Sequence, residues 1–107
     1  MIVYFDVGEN KQIRTWHIYN GSGASKVAVD LTNASSVAAV IWGSFTASSK
    51  AMTFTADATG KVQLEMDAAD LTVEGRFPFR TRVTFADGTI ADFPKPDYDY
   101  LQIGENA

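Results

Sequence analysis

The stretch "GRFPFRTRVTFADGTIADFP", residues 75–94, decides the fold. Phe77, Phe79, Thr81, Val83 and Phe85 recur at every second position, with Arg80, Arg82 and Thr84 between them. A period of two marks an extended chain with one buried face, because successive side chains of a strand point to opposite sides. Asp87-Gly88 follows and supplies the backbone conformations that a tight hairpin needs. Thr89–Phe93 then returns antiparallel, and Pro94 stops it by removing a ladder donor.

The same reading extends in both directions. Ile2–Phe5 is a first strand, ended at Asp6-Val7-Gly8. Gln12–Tyr19 is a second, with Trp16 and Ile18 on one face and Thr15, His17 and Tyr19 on the other. Residues 20–25, NGSGAS, read as a turn or short flexible loop. Val27–Leu31 reads as a short strand with Val27, Val29 and Leu31 facing one way. Val37–Phe45 is apolar on both faces, as in a central strand covered on both sides or a strand at an interface. Its length and alanine content also allow a helix, but its β-branched residues and the Ser-Phe-Thr run favour a strand. Met52–Ala56 turns Met52 and Phe54 inward, and residues 57–60 form a tight turn. Val62–Met66 alternates cleanly. In residues 67–71 the pattern breaks, and Asp67 is placed to cap a single turn. Pro94 and Pro96 precede a last extended segment, Tyr98–Ile103. These elements predict one domain spanning residues 1–107. The expected class is all-β, an immunoglobulin-like antiparallel β-sandwich of seven to eight strands, with a small barrel as the alternative.

Composition excludes several chemistries. A chain of 107 residues buries enough surface to fold without metals or disulfides. With no cysteine, thiolate zinc sites and cysteine nucleophiles are ruled out. Nine Lys+Arg against thirteen Asp+Glu give a net charge of −4, which argues against nucleic-acid binding by phosphate neutralisation and against a polybasic membrane anchor. The N-terminal residues lack a basic region before their apolar run, so no signal peptide is expected.

No catalytic constellation emerges. His17, the single histidine, sits mid-strand, and no nucleophile elbow accompanies it. Asp67, Asp70 and Glu74 gather near a turn and read as capping and solvated groups. Asp92, Asp97 and Asp99 carry oxygens suited to calcium but match no EF-hand spacing. Asn20-Gly21-Ser22 and Asn33-Ala34-Ser35 fit the glycosylation triplet but are explained by turn chemistry. No catalytic, cofactor or metal residue is therefore assigned, and the chain reads as a non-enzyme. The candidates for an interface are Trp42, Arg80, Arg82, Tyr98 and Tyr100. Arg76, Arg80 and Arg82 form a cationic stripe that suits an acidic partner or cross-strand pairing with Asp92. Tyr98 and Tyr100 read as exposed anchors in an acidic tail. Trp42, given its apolar neighbours, is expected in the core.

A series of short patterns runs along nearly the whole chain. Asp6-Val7-Gly8 follows the first strand. Asp30, Leu31, Thr32 and Ala34 lead into Val37–Trp42. Gly60, Val62 and Leu64 precede Ala69, Asp70 and Leu71. Gly75, Phe77, Val83, Thr84, Phe85, Asp87, Gly88 and Pro94 frame the hairpin, and Tyr100–Ile103 closes the series. In order and spacing these elements resemble the immunoglobulin-like domain found at the N-terminus of phage baseplate upper proteins and in small phage virion proteins. Asn33 stands where that family often has glycine, a change that a left-handed turn tolerates. The receptor-binding or fibre-forming extension of longer relatives has no counterpart in these residues.

The resemblance implies a non-enzymatic structural subunit of a tailed-phage or prophage particle, in its capsid, neck, tail or baseplate. It implies a protein made in the bacterial host cytoplasm and located in the virion, present in several copies or as a homo-oligomer against other phage structural proteins. Attachment is expected through an edge strand or through Tyr98–Ile103 docked on a neighbour. On that reading, loss of residues 97–107 weakens association more than folding. A carbohydrate- or cell-surface-binding module is the alternative.

Overall fold

The computed structural model describes residues 1–21, 26–45, 48–94 and 97–104. The expected turn at 20–25 lies beyond residue 21 outside the described residues, as do Pro96 and the Ser22 of the first glycosylation triplet. Ten strands and no helix occur among the described residues. They are β1 (Ile2–Asp6), β2 (Gln12–His17), β3 (Tyr19–Asn20), β4 (Val27–Ala28), β5 (Ala34–Ile41), β6 (Ser49–Phe54), β7 (Lys61–Met66), β8 (Gly75–Phe85), β9 (Ile90–Phe93) and β10 (Asp99–Gly104).

The 11-residue β8 is the hub. Its alternation is the one read from sequence: Phe77, Phe79, Thr81 and Val83 are buried, and Phe85 packs against the same core. One edge of β8 pairs with β5. The other is shared by two strands, β10 along Gly75–Phe79 and β9 along Thr81–Thr84. The order β1-β10-β8-β5-β6-β7-β2 follows, with β9 beside β8. Within it β6 is divided: Ser49–Met52 pair with β5, while Thr53 and Phe54 pair with β7. One strand thus carries the chain's pairing round the corner from one layer to the next, as strands that switch sheets do. The fold is all-β and nearly closed, like a barrel, around Phe5, Trp16, Leu31, Leu64, Met66, Phe79, Leu101 and Ile103.

Three expectations change. First, the sheet is not wholly antiparallel, because β1 runs parallel to β10. Second, the last extended segment, expected over Tyr98–Ile103, is the strand β10, but it is not a dispensable docking tail. It lies between β1 and β8 with Leu101 and Ile103 buried, so removing residues 97–107 would take out an interior strand. Third, the strand over Val27–Leu31 ends at Ala28. Val27 is exposed, while Val29 and Leu31 are buried. Asp30 breaks that strand: its Oδ1 accepts from both Thr32 N (3.0 Å) and Thr32 Oγ1 (2.6 Å). Asp57 and Thr59 form the same closure, and Asp87 accepts from Thr89 N. An aspartate that bonds the backbone two residues on closes a turn by itself, and at 30–32 and 57–59 it does so with no glycine between. These bonds hold all three carboxyls below their ordinary value.

Among the described residues the barrel does not close by strand pairing. Between β1 and β2 the side chain of Gln12 replaces a peptide group. Its Oε1 accepts from Asp6 N (2.8 Å) and Arg14 Nη2 (3.2 Å), and its Nε2 donates to Asp6 O (2.7 Å) and Glu9 O (3.2 Å). Arg14 adds a bond from Nε to Tyr4 O (2.9 Å) and lies over the Phe5 ring, 5.0 Å from its centroid. Gln12 is buried, although its polar character gave no hint of that. Gln12→Ala would leave both backbone groups of Asp6 unpaired. It should cost about 2–3 kcal/mol in urea unfolding, whereas Ile13→Ala, at an exposed neighbour, should cost under about 1 kcal/mol.

At the opposite end, Gly60 (φ +71°) lets three segments meet. Ile18 N donates to Gly60 O (2.9 Å) and Val29 N to Ile18 O (3.0 Å). A Cβ at residue 60 would sit 2.5 Å from Ile18 O, while one at Gly88 (φ +89°) would meet nothing within 4 Å. Gly88→Ala therefore carries only the left-handed backbone penalty of about 1 kcal/mol, and Gly60→Ala adds a backbone clash. The expected order of thermal midpoints is native, Gly88→Ala, then Gly60→Ala well below both.

Candidate interaction face

The outer face of β1, β10, β8 and β5 gathers the aromatic candidates. In strand register, Ile2 is opposite Tyr100 and Tyr100 is opposite Pro78. Trp42, one residue beyond β5, donates its backbone N–H to Pro78 O (2.9 Å). A row of apolar side chains, Ile2, Tyr100, Pro78 and Trp42, thus crosses four strands. The apolar run in β5 explains it. Val37, Ala39 and Ile41 fill the core, so Ala38, Val40 and Trp42 take the outside. Trp42 is 38% exposed, contrary to the expectation of a core position. Tyr98 and Tyr100 are also exposed, at 40% and 37%, as expected.

Cations flank this row. The Arg80 guanidinium lies 4.1 Å from the centroid of the Tyr98 ring and donates from Nε to Asp97 O (3.2 Å). Tyr98 in turn meets Trp42 edge to face, with centroids 5.3 Å apart. Arg76 donates to Gln102 Oε1 (2.9 Å) and stands 5.9 Å from the Tyr100 ring. Trp42, Arg80, Tyr98 and Tyr100 therefore form one patch. Arg82 is engaged differently: Nε and Nη2 grip both oxygens of Asp92 at 2.8 and 3.0 Å, the cross-strand pair read from sequence. Those bonds push the Arg82 guanidinium above its ordinary value.

The carboxylates disperse. Asp92 serves Arg82. Asp99 Oδ1 lies 3.2 Å from the Met1 ammonium. Asp67 does not cap its turn as expected; its Oδ1 accepts from Lys11 N across the fold (3.2 Å). The turn is held in reverse, with Asp70 Oδ2 accepting from Asp67 N (2.9 Å) and from Lys50 Nζ (2.8 Å). Burial works against the Asp70 carboxylate, but these bonds outweigh it and hold the group below its ordinary value. Among the described residues no three His, Cys, Asp or Glu side chains come together as metal ligands. His17 is exposed, with Nδ1 2.9 Å from Thr59 O, and no nucleophile was read beside it. Compared with known proteins, the chain matches no family model, no curated protein and no solved structure.

Asp99, on the opposite side of β10 from Tyr100, gives the fold a pH-dependent stability. Burial raises its carboxyl above the ordinary value, and the Met1 ammonium offsets this only in part. A raised acid holds its proton more tightly in the folded state. Its contribution to stability is thus complete below the unfolded value, about pH 4, and is lost as pH rises through the raised value. Asp30, Asp57, Asp70 and Asp87 act with the opposite sign, contributing above the ordinary value and losing it as pH falls. Asp99→Asn should remove the first component alone. Urea unfolding from pH 3.5 upward should show the native protein losing stability relative to this variant as pH rises.

Proposed function

We propose that the chain is a non-enzymatic structural subunit that acts through protein–protein contacts on the Trp42–Tyr98–Tyr100 face, within a tailed-phage or prophage particle. The carrying observation is the row Ile2, Tyr100, Pro78 and Trp42 with Arg76 and Arg80 packed beside its tyrosines. Tryptophan, tyrosine and arginine dominate the energetics of protein interfaces, since they bury large rigid areas while keeping a polar handle. The strand order supports an immunoglobulin-like reading of the fold. β5, β8 and β10 stand where such sandwiches have strands C, F and G, and β2, β7 and the end of β6 where they have B, E and D. The virion assignment rests on the pattern of turns and strands from Asp6-Val7-Gly8 to Tyr100–Ile103.

The sugar-binding alternative needs open aromatic faces. Arg80 covers one face of Tyr98 and Trp42 abuts the same ring, so the tyrosine is already stacked. That favours a protein partner.

Particles sedimented from phage-producing cells should carry the chain in fixed ratio to the major capsid protein, as read by mass spectrometry. Trp42→Ala and Arg80→Ala should each reduce incorporation about tenfold or more, with thermal midpoints near native. A chain that stays at the top of the gradient, or variants incorporated as well as the native protein, would reject the reading.

A further inference from the structure

Backbone hydrogen bonding of β1 and β2 has a definite phase. Met1 O accepts from Tyr100 N and Val7 N donates to Gly104 O, so residues 1, 3, 5 and 7 serve the ladder with β10. Successive peptide groups of a strand point to opposite edges, and Ile2, Tyr4 and Asp6 therefore turn theirs toward β2. In β2 the bond from Ile18 N to Gly60 O sets the phase. Gln12, Arg14 and Trp16 exchange bonds with β7, while Ile13, Thr15 and His17 turn theirs toward β1.

This seam has two halves. In the closed half, Gln12 satisfies both groups of Asp6, and Arg14 satisfies Tyr4 O and Ile13 O (2.9 and 3.0 Å). In the open half, the groups of Ile2, Thr15 and His17 and the N–H of Tyr4 have no strand pairing across the seam among the described residues. A groove of about 290 Å³ lies there, lined by Met1, Ile2, Val3 and Tyr4 on one side and Arg14, Thr15 and Trp16 on the other. Tyr4 is 61% exposed beside it. Exposed strand edges are normally blunted by a lysine, a proline or a bulge. The open half, Ile2–Tyr4 against Thr15–His17, has none of these.

We infer that the open half of the β1–β2 seam is a binding site for an extended peptide segment of a partner protein, which adds as a strand along the β2 edge. The occupant follows from the chemistry: regularly spaced donors and acceptors on facing edges are complemented by extended backbone, which no compact side chain or small ligand reproduces. Its alternate side chains would be small and apolar where they face Val3 and Trp16, and polar where they face solvent. The site meets the Trp42 face only at Ile2, its hydrogen-bonding edge lies on β2, and it does not depend on the virion reading.

The test begins on the free protein. Amides of Tyr4, Thr15 and His17 should exchange rapidly with deuterium, and those of Arg14 and Trp16 slowly. The full chain is then used to select from a displayed library of random ten-residue peptides. Selected peptides should alternate in polarity and slow exchange at Thr15 and His17. Thr15→Pro, which removes a seam-facing donor while leaving the β7 ladder intact, should weaken them about tenfold. Trp42→Ala should leave them unchanged. Should Thr15→Pro fail to fold, the exchange pattern with bound peptide decides. The inference is overturned if those amides are already slow in the free monomer, or if no peptide is selected. It is equally overturned if selected peptides depend on Trp42, or if self-association of the chain protects the same amides without peptide.

Discussion

The closure of this fold depends on one buried amide. The Gln12 side chain offers two donors and two acceptor sites, and all four are used, three of them on the backbone of residues 6 and 9. It stands in for the strand that a closed barrel would need there. Because the amide reaches across from a side chain, the two strands are held here without pairing directly. A network of this kind is favourable only when complete, since each orphaned buried group costs more than a formed bond returns.

The outer face owes its composition to the inner one. Strands β5, β8 and β10 satisfy the core with every second residue: Val37, Ala39 and Ile41; Phe77, Phe79 and Val83; Leu101 and Ile103. Once these positions are filled, the intervening apolar residues have nowhere to go but out. Val40, Trp42, Pro78 and Tyr100 are then neighbours across the strands by register alone. Arg76 and Arg80 cover part of the exposed ring surface with guanidinium planes, which bury apolar area while keeping their charge in water.

Strongly periodic segments were readable in sequence. The β8–β9 hairpin, the Arg82–Asp92 pair, the inward Trp16 and Ile18, and the alternation of Val62–Met66 all follow from a period of two and an Asp-Gly turn. What escaped was non-local. The partnership of β1 with β10 joins opposite ends of the chain, and nothing within either segment specifies it. Without that partnership, the extended segment Tyr98–Ile103 reads as a docking element and not as an interior strand. Trp42 was misplaced because an apolar run on both faces does not say which face is covered. Gln12 was missed because a polar residue at a strand start ordinarily faces water. A further signal in the sequence is the triplet Asp-x-Thr at 30–32, 57–59 and 87–89, which folds each time into an aspartate-closed turn.

The parallel pairing of the first and last described strands also has a mechanical meaning. Ile2 is opposite Tyr100 and Asp6 opposite Gly104, so the two outer ends of this pair, near Ile2 and near Gly104, lie at opposite ends of one ladder. Tension applied between them runs along the strands. The inter-strand bonds then share the load in shear and must fail together, whereas a hairpin pulled from its open end gives way one bond at a time. A link in a chain of subunits, held at these two points, would resist extension through its backbone ladder.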